Sequence, residues 1–475
     1  MRKAAVLASL VLPCISLAAQ DFGFGFGETE QAGQGRSSGF SARIGGEVSA
    51  QLLGYTGDFA DEDKKPSLGD MFAGKLAFTA SAFNADAVIR LRLSPVFDGS
   101  ASPAALDEAY LRAYFGPVSV EGGLRKLTWG KADSLGPLDT VNPLDYRDLT
   151  DITNLLDRKI ARPMVHAEYR IGSLSKLEGV FIPWFAGHKF AESGRWTPRQ
   201  ITALPDMIKT GAAEYIAGSA PPAFPVTPAL ILQNMPSSID LRYPDTTSLE
   251  YAQGGLRFTA TIVSADIGIQ YYFGRLPRPA FSVKGLDTFW RDFNGVDAPA
   301  IEPEVVYNWY HQAGIDYAQV IAGFNLRAEL AANITKDIAG DDGSVYNPAI
   351  AWSLGFDRDV IWGINLNVQA VESVRLLHDK ISDNPALDTE AGAPVTATRI
   401  TGIISKKFLR DELEVKVTGL WGIEDKDFFI IPALIWTKGD VTAEGSAGFL
   451  GGDETGELGQ YRKNTFVKIR LSYRF

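Results

Sequence analysis

Cysteine is almost missing: Cys14 is the only one in 475 residues, and it sits in the N-terminal stretch. Once that stretch is removed, disulfides, cysteine–metal sites and a thiol nucleophile are all excluded. Histidine is scarce too. His166, His188, His311 and His378 are too scattered for a metal motif, so neither metal nor cofactor is expected. A basic excess is absent, with a net charge of −11 and a pI near 5.1. That argues against nucleic acid as a partner. Beyond the N-terminus no run of about 18 apolar residues lacks charge, which disfavours transmembrane helices. No phosphate loop, dinucleotide fingerprint or zinc spacing is present. Nothing announces a serine–histidine pairing, so no enzyme is expected. Before the first strand, near residue 40, there is no plug-sized domain of the kind a TonB-dependent receptor carries.

The N-terminus reads as a leader. Arg2 and Lys3 precede the apolar stretch from Ala4 to Leu17, and Ser16, Ala18 and Ala19 supply small residues for cleavage. A lipoprotein reading of Cys14 is weakened by Pro13, which stands where a small residue belongs. The expected organisation is a signal peptide over 1–19, a flexible periplasmic segment over 20–39 and one domain over 40–475.

That domain is patterned in twos. In the last ten residues Val467, Ile469, Leu471, Tyr473 and Phe475 share one face, while Lys468, Arg470, Ser472 and Arg474 share the other. Period-two alternation of oil and charge, ending on an aromatic, suits the closing strand of a transmembrane β-barrel. The terminal Phe475 would then be read by the barrel-assembly machinery. The rival is an amphipathic edge strand of a soluble sandwich. The same alternation recurs over Ala42–Leu52, Ala87–Ser94, Glu108–Phe115, Trp362–Ala370 and Leu413–Trp421. Tight links (among them Gly116-Pro117, Gly172-Ser173, Ala322-Gly323 and Lys438-Gly439-Asp440) alternate with long ones, chiefly 128–162, 186–247 and 275–304. A soluble meander has no reason to segregate loop lengths in this way. The expectation is all-β: an antiparallel up-and-down barrel of about 18 strands (range 16–18), with short periplasmic turns and long extracellular loops in an outer membrane. Phe428–Trp436 fits poorly. It is almost wholly apolar around Pro432, so as a strand it calls for a bulge. The 186–247 link holds two short helices, near Asp206–Ala217 and after Thr227-Pro228.

Inward-facing charges are the candidate site. Arg90, Arg92, Glu108, Arg112, Glu121, Arg125, Glu168 and Arg170 alternate onto the polar face. They either line a wet, selective channel or only pair across strands and hold the wall. Arg90, Arg92, Arg112 and Arg125 form the best positive patch, partly cancelled by Glu108 and Glu121. His166 is placed on the same face, beside Glu168 and Arg170.

The link after the fifth strand carries Trp129-Gly130-Lys131-Ala132-Asp133, then Asn142-Pro143-Leu144-Asp145-Tyr146-Arg147. Ile182-Pro183-Trp184 follows a strand later. Over about residues 121–190 this resembles a porin-like family of outer-membrane barrels catalogued as a domain of unknown function. The resemblance implies an outer-membrane barrel, and more weakly an association with export of hydrophobic molecules. Read as residues, Lys131, Asp133, Asn142, Asp145 and Arg147 suit either a constriction loop or a cap on the barrel mouth. The large loops are oily as well. Phe281, Phe289 and Trp290 either pack as a lid or offer a way in for hydrophobic ligands. The expected role is passive passage of small solutes through a lumen narrowed by an inserted loop, with lipid as surroundings and homo-oligomerisation left open. The alternatives are a transporter of hydrophobic compounds and a surface adhesin or structural barrel.

Overall fold

Strands with two different solvents on their two faces close into one barrel. The computed structural model describes residues 39–56, 72–93, 106–133, 136–152, 154–235, 241–293 and 299–475. The expected leader (1–19) and nearly all of the 20–39 segment lie outside them. The strands are β1 (Ser41–Tyr55), β2 (Phe72–Ala82), β3 (Ala85–Leu93), β4 (Leu106–Phe115), β5 (Val118–Arg125), β6 (Arg162–Ile171), β7 (Ser175–Ile182), β8 (Gln253–Ile262) and β9 (Ala265–Arg275). A separate hairpin, β10 (Ala280–Lys284) with β11 (Glu302–Val306), stands apart from the wall. Then come β12 (Trp309–Ile321), β13 (Phe324–Thr335), β14 (Ala349–Asp359), β15 (Ile364–Arg375), β16 (Thr396–Phe408), β17 (Leu413–Gly422), β18 (Asp427–Lys438), β19 (Val441–Gly452) and β20 (Phe466–Arg474).

The sheet has 18 strands, and each pairs antiparallel with its sequence neighbour, β9 with β12 included. β1 pairs with both β2 and β20, which closes the ring and leaves no edge. One end carries only turns of two to four residues, at 83–84, 116–117, 172–174, 263–264, 322–323, 360–363, 409–412 and 439–440. The long links gather at the other end, apart from a four-residue one at 423–426. Outward side chains such as Ile44, Leu111, Leu256, Leu354, Ile404 and Val467 are exposed large apolar groups. Trp184, Phe273 and Trp309 flank this oily band at the long-loop end, and Phe115, Trp436, Tyr473 and Phe475 flank it at the short-turn end. A barrel with an apolar outer band between aromatic girdles is built to span a bilayer.

Two expectations need correction. Trp362 does not begin a strand: it lies in the turn before β15, at φ +60°. Pro432 causes no bulge. β18 keeps one register with β17 throughout, including Pro432 opposite Val417. Its pairing with β19 merely skips two positions between Ile430↔Phe449 and Ala433↔Ser446. Proline lacks a donor on that side, and the chain tolerates the gap without an extra residue.

The apolar core lies inside the long-loop end. α1 is one turn (Leu155–Arg158), α2 spans Arg199–Gly218 and α3 spans Pro228–Asn234, capped by Thr227, whose side chain accepts from the Leu230 N–H. Both helices expected in the long link are present, and α2 starts earlier than the sequence suggests. Ile201, Leu204, Ile208, Ala212 and Ile216 recur at helical spacing and are buried. They share a core with Leu420, Phe429, Ile431, Leu450 and Phe466 on β17–β20. β18 therefore lost its alternation for a physical reason. Both of its faces meet oil: membrane outside, and inside the apolar core to which α2 also belongs.

Candidate functional site

The link 126–161 folds into the lumen. Its two arms are braced first. The Asn142 carboxamide accepts from the Leu127 N–H (2.8 Å) and donates to the Arg125 (3.1 Å) and Ile160 (2.9 Å) carbonyls. The buried Lys159 ammonium donates to the Leu127 carbonyl and Thr128 Oγ1 (both 2.7 Å) and to Asp139 (2.8 Å).

The tip then reaches inward-facing residues of β9, β12, β13 and β15. Glu329, in the middle of β13 and buried, accepts the backbone N–H of Lys131, of Ala132 (2.7 Å) and of Leu138 (3.2 Å). Gln270 and Gln312 donate to the Leu138 (2.9 Å) and Pro137 (3.0 Å) carbonyls. Asp133 pairs with Arg327, accepts from Asn367 (2.8 Å) and donates its N–H to Gln369 (3.1 Å). Glycine is required here. A Cβ on Gly130 would come 2.2 Å from a Glu329 oxygen, and one on Gly136 would come 2.5 Å from the other.

The returning arm meets the opposite side. Lys468 and Arg470 on β20 pair with Asp151, Arg470 at 3.1 Å. Lys75 on β2 and Arg92 on β3 hold Asp157, at 2.5 and 2.9 Å. Burial alone would raise the Asp151 carboxyl; the Lys468 and Arg470 charges beside it outweigh that and hold it well below the usual carboxylate range. The Asp151 side chain is nevertheless 48% exposed although its partners all point into the barrel.

The sequence-predicted charges do come together, as an ion-paired ladder across β3–β7. Arg90 pairs with Glu108, and Arg125 bridges Glu108 (3.2 Å) and Glu121 (3.0 Å). Arg112 completes Glu121 at 2.5 Å. His166, two residues before Glu168 on the same face of β6, stands between Glu121 (3.4 Å) and Glu178 (3.5 Å). Glu168 pairs with Arg170 (3.0 Å) and Lys176 (3.3 Å). The expected positive patch is thus largely compensated: Arg90, Arg112 and Arg125 share the two carboxylates of Glu108 and Glu121, and Arg92 is held on the loop.

Of the five loop candidates, Lys131 and Asp133 are at the tip and Asn142 is the brace. Asp145 and Arg147 lie away from the tip, where Asp145 bridges to Lys189 in the next long link and the two side chains chelate each other. That link is tied down again by His188, whose Nδ1 accepts the Leu144 N–H at 2.9 Å. Burial, aided by the charges of Arg278 and Arg158, pushes the His188 imidazole down to about 3, so it is neutral.

Two of the three hydrophobic candidates are corrected. Phe281 and Phe289 are core residues under the mouth segment and are closed to ligand. Trp290 packs on Phe289 and Phe293, and its indole N–H donates to the Ile216 carbonyl at the end of α2 (2.8 Å). Apolar loop residues found each other, as the lid reading requires. What sequence reasoning missed is Glu329 as the anchor of the loop, with Gln270 and Gln312 beside it. The paired glycines at 130 and 136 were the available clue.

No family model matches the chain, and no curated protein matches it. Among solved structures it is similar to the OccK3 (OpdO) protein of Pseudomonas aeruginosa: 9% identity over 91% of this chain and 95% of that one, with a TM-score of 0.46. It is similar also to the outer-membrane channel DcaP of Acinetobacter baumannii: 9% identity, 94% and 100% covered, TM-score 0.40. A third likeness is OmpF of Salmonella typhi in complex with daunomycin: 9% identity, 91% and 97% covered, TM-score 0.39.

Proposed function

We propose that this chain is an outer-membrane channel for the passive passage of small solutes, without catalysis, narrowed at mid-height by the 126–161 loop. One observation carries the reading. A loop that begins on β5 is hydrogen-bonded through its tip to the middle of β13, with ion pairs to β2, β3 and β20 on its way back. A loop strapped across a barrel from wall to wall sets the bore, and the charges at the strap set what crosses it. The remaining path would run between the Asp151–Asp157 corner and the half-buried inward side chains of Lys416 on β17 and Glu444 on β19. The exposure of Asp151 inside the barrel supports water at that place. The Trp-Gly-Lys stretch and Asn142 both serve the strap, which fits the porin-like family that these motifs resemble. Closure of Phe281 and Phe289 into the core speaks against the transporter of hydrophobic compounds.

Planar-bilayer recording tests this. The purified full chain should give discrete conductance steps, and removal of residues 131–138 should enlarge them. A barrel that inserts but conducts neither before nor after the deletion refutes the channel.

A further inference from the structure

The short-turn end carries large apolar side chains in backbone positions that suit glycine. Gly116, Gly172 and Gly439 hold φ of +62°, +66° and +57° in three turns. Phe83, Val263, Ala322, Trp362 and Leu409 hold φ of +51°, +61°, +51°, +60° and +51° in five others. A left-handed conformation is costly for a non-glycine residue and is an outlier for a β-branched one. These side chains also point away from the protein: Val263 is 99% exposed, and Phe83 and Trp362 are each 78% exposed. In water the chain would bear both strain and uncovered apolar surface at turns where its own sister turns use glycine.

We propose that these tips are an anchoring ring embedded in the headgroup layer of the inner leaflet, where Arg358 and Lys406 meet lipid phosphates. The inference rests on the reading that the outer wall stands in a bilayer. Continuity with that wall supports it. Phe115, Ile171, Ile262 and Ile321 are exposed on the outer face immediately above the tips, so the oily band reaches the turns. The cations fit as well. The Arg358 guanidinium lies 4.3 Å over the Phe324 ring, itself edge-on to Phe356 at 5.6 Å, and the Lys406 ammonium lies 5.1 Å over Phe408. Neither is paired with a carboxylate among the described residues. A cation held on an aromatic ring at the edge of an apolar band is placed for an anionic headgroup. Depth agrees. A tilted strand advances roughly 2.5 Å per residue along the membrane normal. Three residues past Phe356 therefore reach about 8 Å, comparable with the headgroup layer of roughly 6 Å.

The test uses the full chain with Cys14→Ser and Val263→Cys, labelled with a small fluorophore and placed in vesicles of phosphatidylethanolamine and phosphatidylglycerol. The same label at Leu354→Cys, mid-wall, is the bilayer control. Lipids brominated near the glycerol should quench the 263 label several-fold more than iodide present on both sides. Charge reversal at Arg358→Glu with Lys406→Glu should weaken that quenching when phosphatidylglycerol is the brominated lipid. Free iodide access to 263 with Leu354 still protected overturns the anchoring ring and leaves the tips to a soluble partner. Iodide access at both sites overturns the bilayer reading itself.

Discussion

If the 126–161 loop is the constriction of a channel, replacing Glu329 by alanine should unlatch it. Its carboxylate takes three backbone N–H groups of the loop tip, from Lys131, Ala132 and Leu138. Hydrogen bonds to a charged group contribute about 1.5–3 kcal/mol each, so three represent roughly 4–9 kcal/mol before compensation. Lumen water would resolvate part of the freed tip, and the Asp133, Gln270 and Gln312 contacts would persist. A net loss of about 3–5 kcal/mol remains, which shifts the latched-to-free equilibrium by roughly a hundred- to several-thousand-fold. Single-channel recording at neutral pH should show this as frequent excursions to a wider level, absent or rare in the wild type. Glu329→Gln should fall between the two. Its oxygen still accepts from Lys131 and Ala132, but its amide turns a donor toward the Leu138 N–H. The reasoning is refuted if Glu329→Ala inserts as a folded barrel with conductance levels and dwell times like those of the wild type.

Three further outcomes follow from the same geometry. Arg125→Gln removes the one guanidinium that bridges Glu108 and Glu121 and lowers the ladder's positive charge by one while Arg90 and Arg112 keep their partners, so reversal potentials under a salt gradient should move toward cation selectivity; an unchanged potential would place the ladder away from the ion path. His188 has a folded-state value of about 3 against an ordinary 6.5, so folding favours its neutral form. The stability it contributes is intact above pH 6.5 and is lost as pH falls toward 3, by up to about 5 kcal/mol. Unfolding temperatures in detergent between pH 7.5 and 4 should therefore fall more steeply for the wild type than for His188→Asn, which keeps an acceptor for the Leu144 N–H without titrating; parallel curves would refute this. Ile208→Ala empties a fully buried position on α2 and should cost about 2–4 kcal/mol. Proteases should then nick the 183–252 link faster while heat-modifiable gel mobility shows the barrel intact; equal nicking rates would deny that α2 is held by this core.

The wall was legible because a strand between two solvents writes that fact at every residue. Val467 to Phe475 and Leu413 to Trp421 alternate because each side chain has only membrane or lumen to face. Most of the tight turns were legible for a related reason, through residues such as Gly116-Pro117, Gly172-Ser173 and Gly439-Asp440 that reverse a chain in two or three steps, whereas 360–363 hid behind an apolar Val-Ile-Trp run that reads as strand. Legibility failed where a third environment intruded. Phe429, Ile431, Leu450 and Phe466 face inward yet join the apolar core that contains the α2 stripe, so the code of two solvents no longer applied to β18. The expected bulge at Pro432 was a correct inference from a local rule, but pairing with β17 and burial on both faces outvoted it.

The strap was illegible for a different reason. Lys131 and Glu329 are separated by 198 residues, and nothing in the alternation distinguishes Glu329 from Glu108 or Glu168. All of them are carboxylates on an inward face. Their fates differ through what stands opposite in the folded ring. Glu108 has Arg90 on its register partner and Arg125 nearby, so it is satisfied by side chains within the wall. Glu329 has Asp316 as its register partner on β12 and Ser353 on β14, neither a cation. Its negative charge therefore had to find donors across the lumen. The loop supplies them as bare backbone N–H groups, and only glycine at 130 and 136 lets that backbone come close enough. The ion-paired wall and the inserted loop thus arise from one rule applied twice. Where acid and base share adjacent strands, the wall neutralises itself, and where an acid is left without a base beside it, a loop is drawn in to serve.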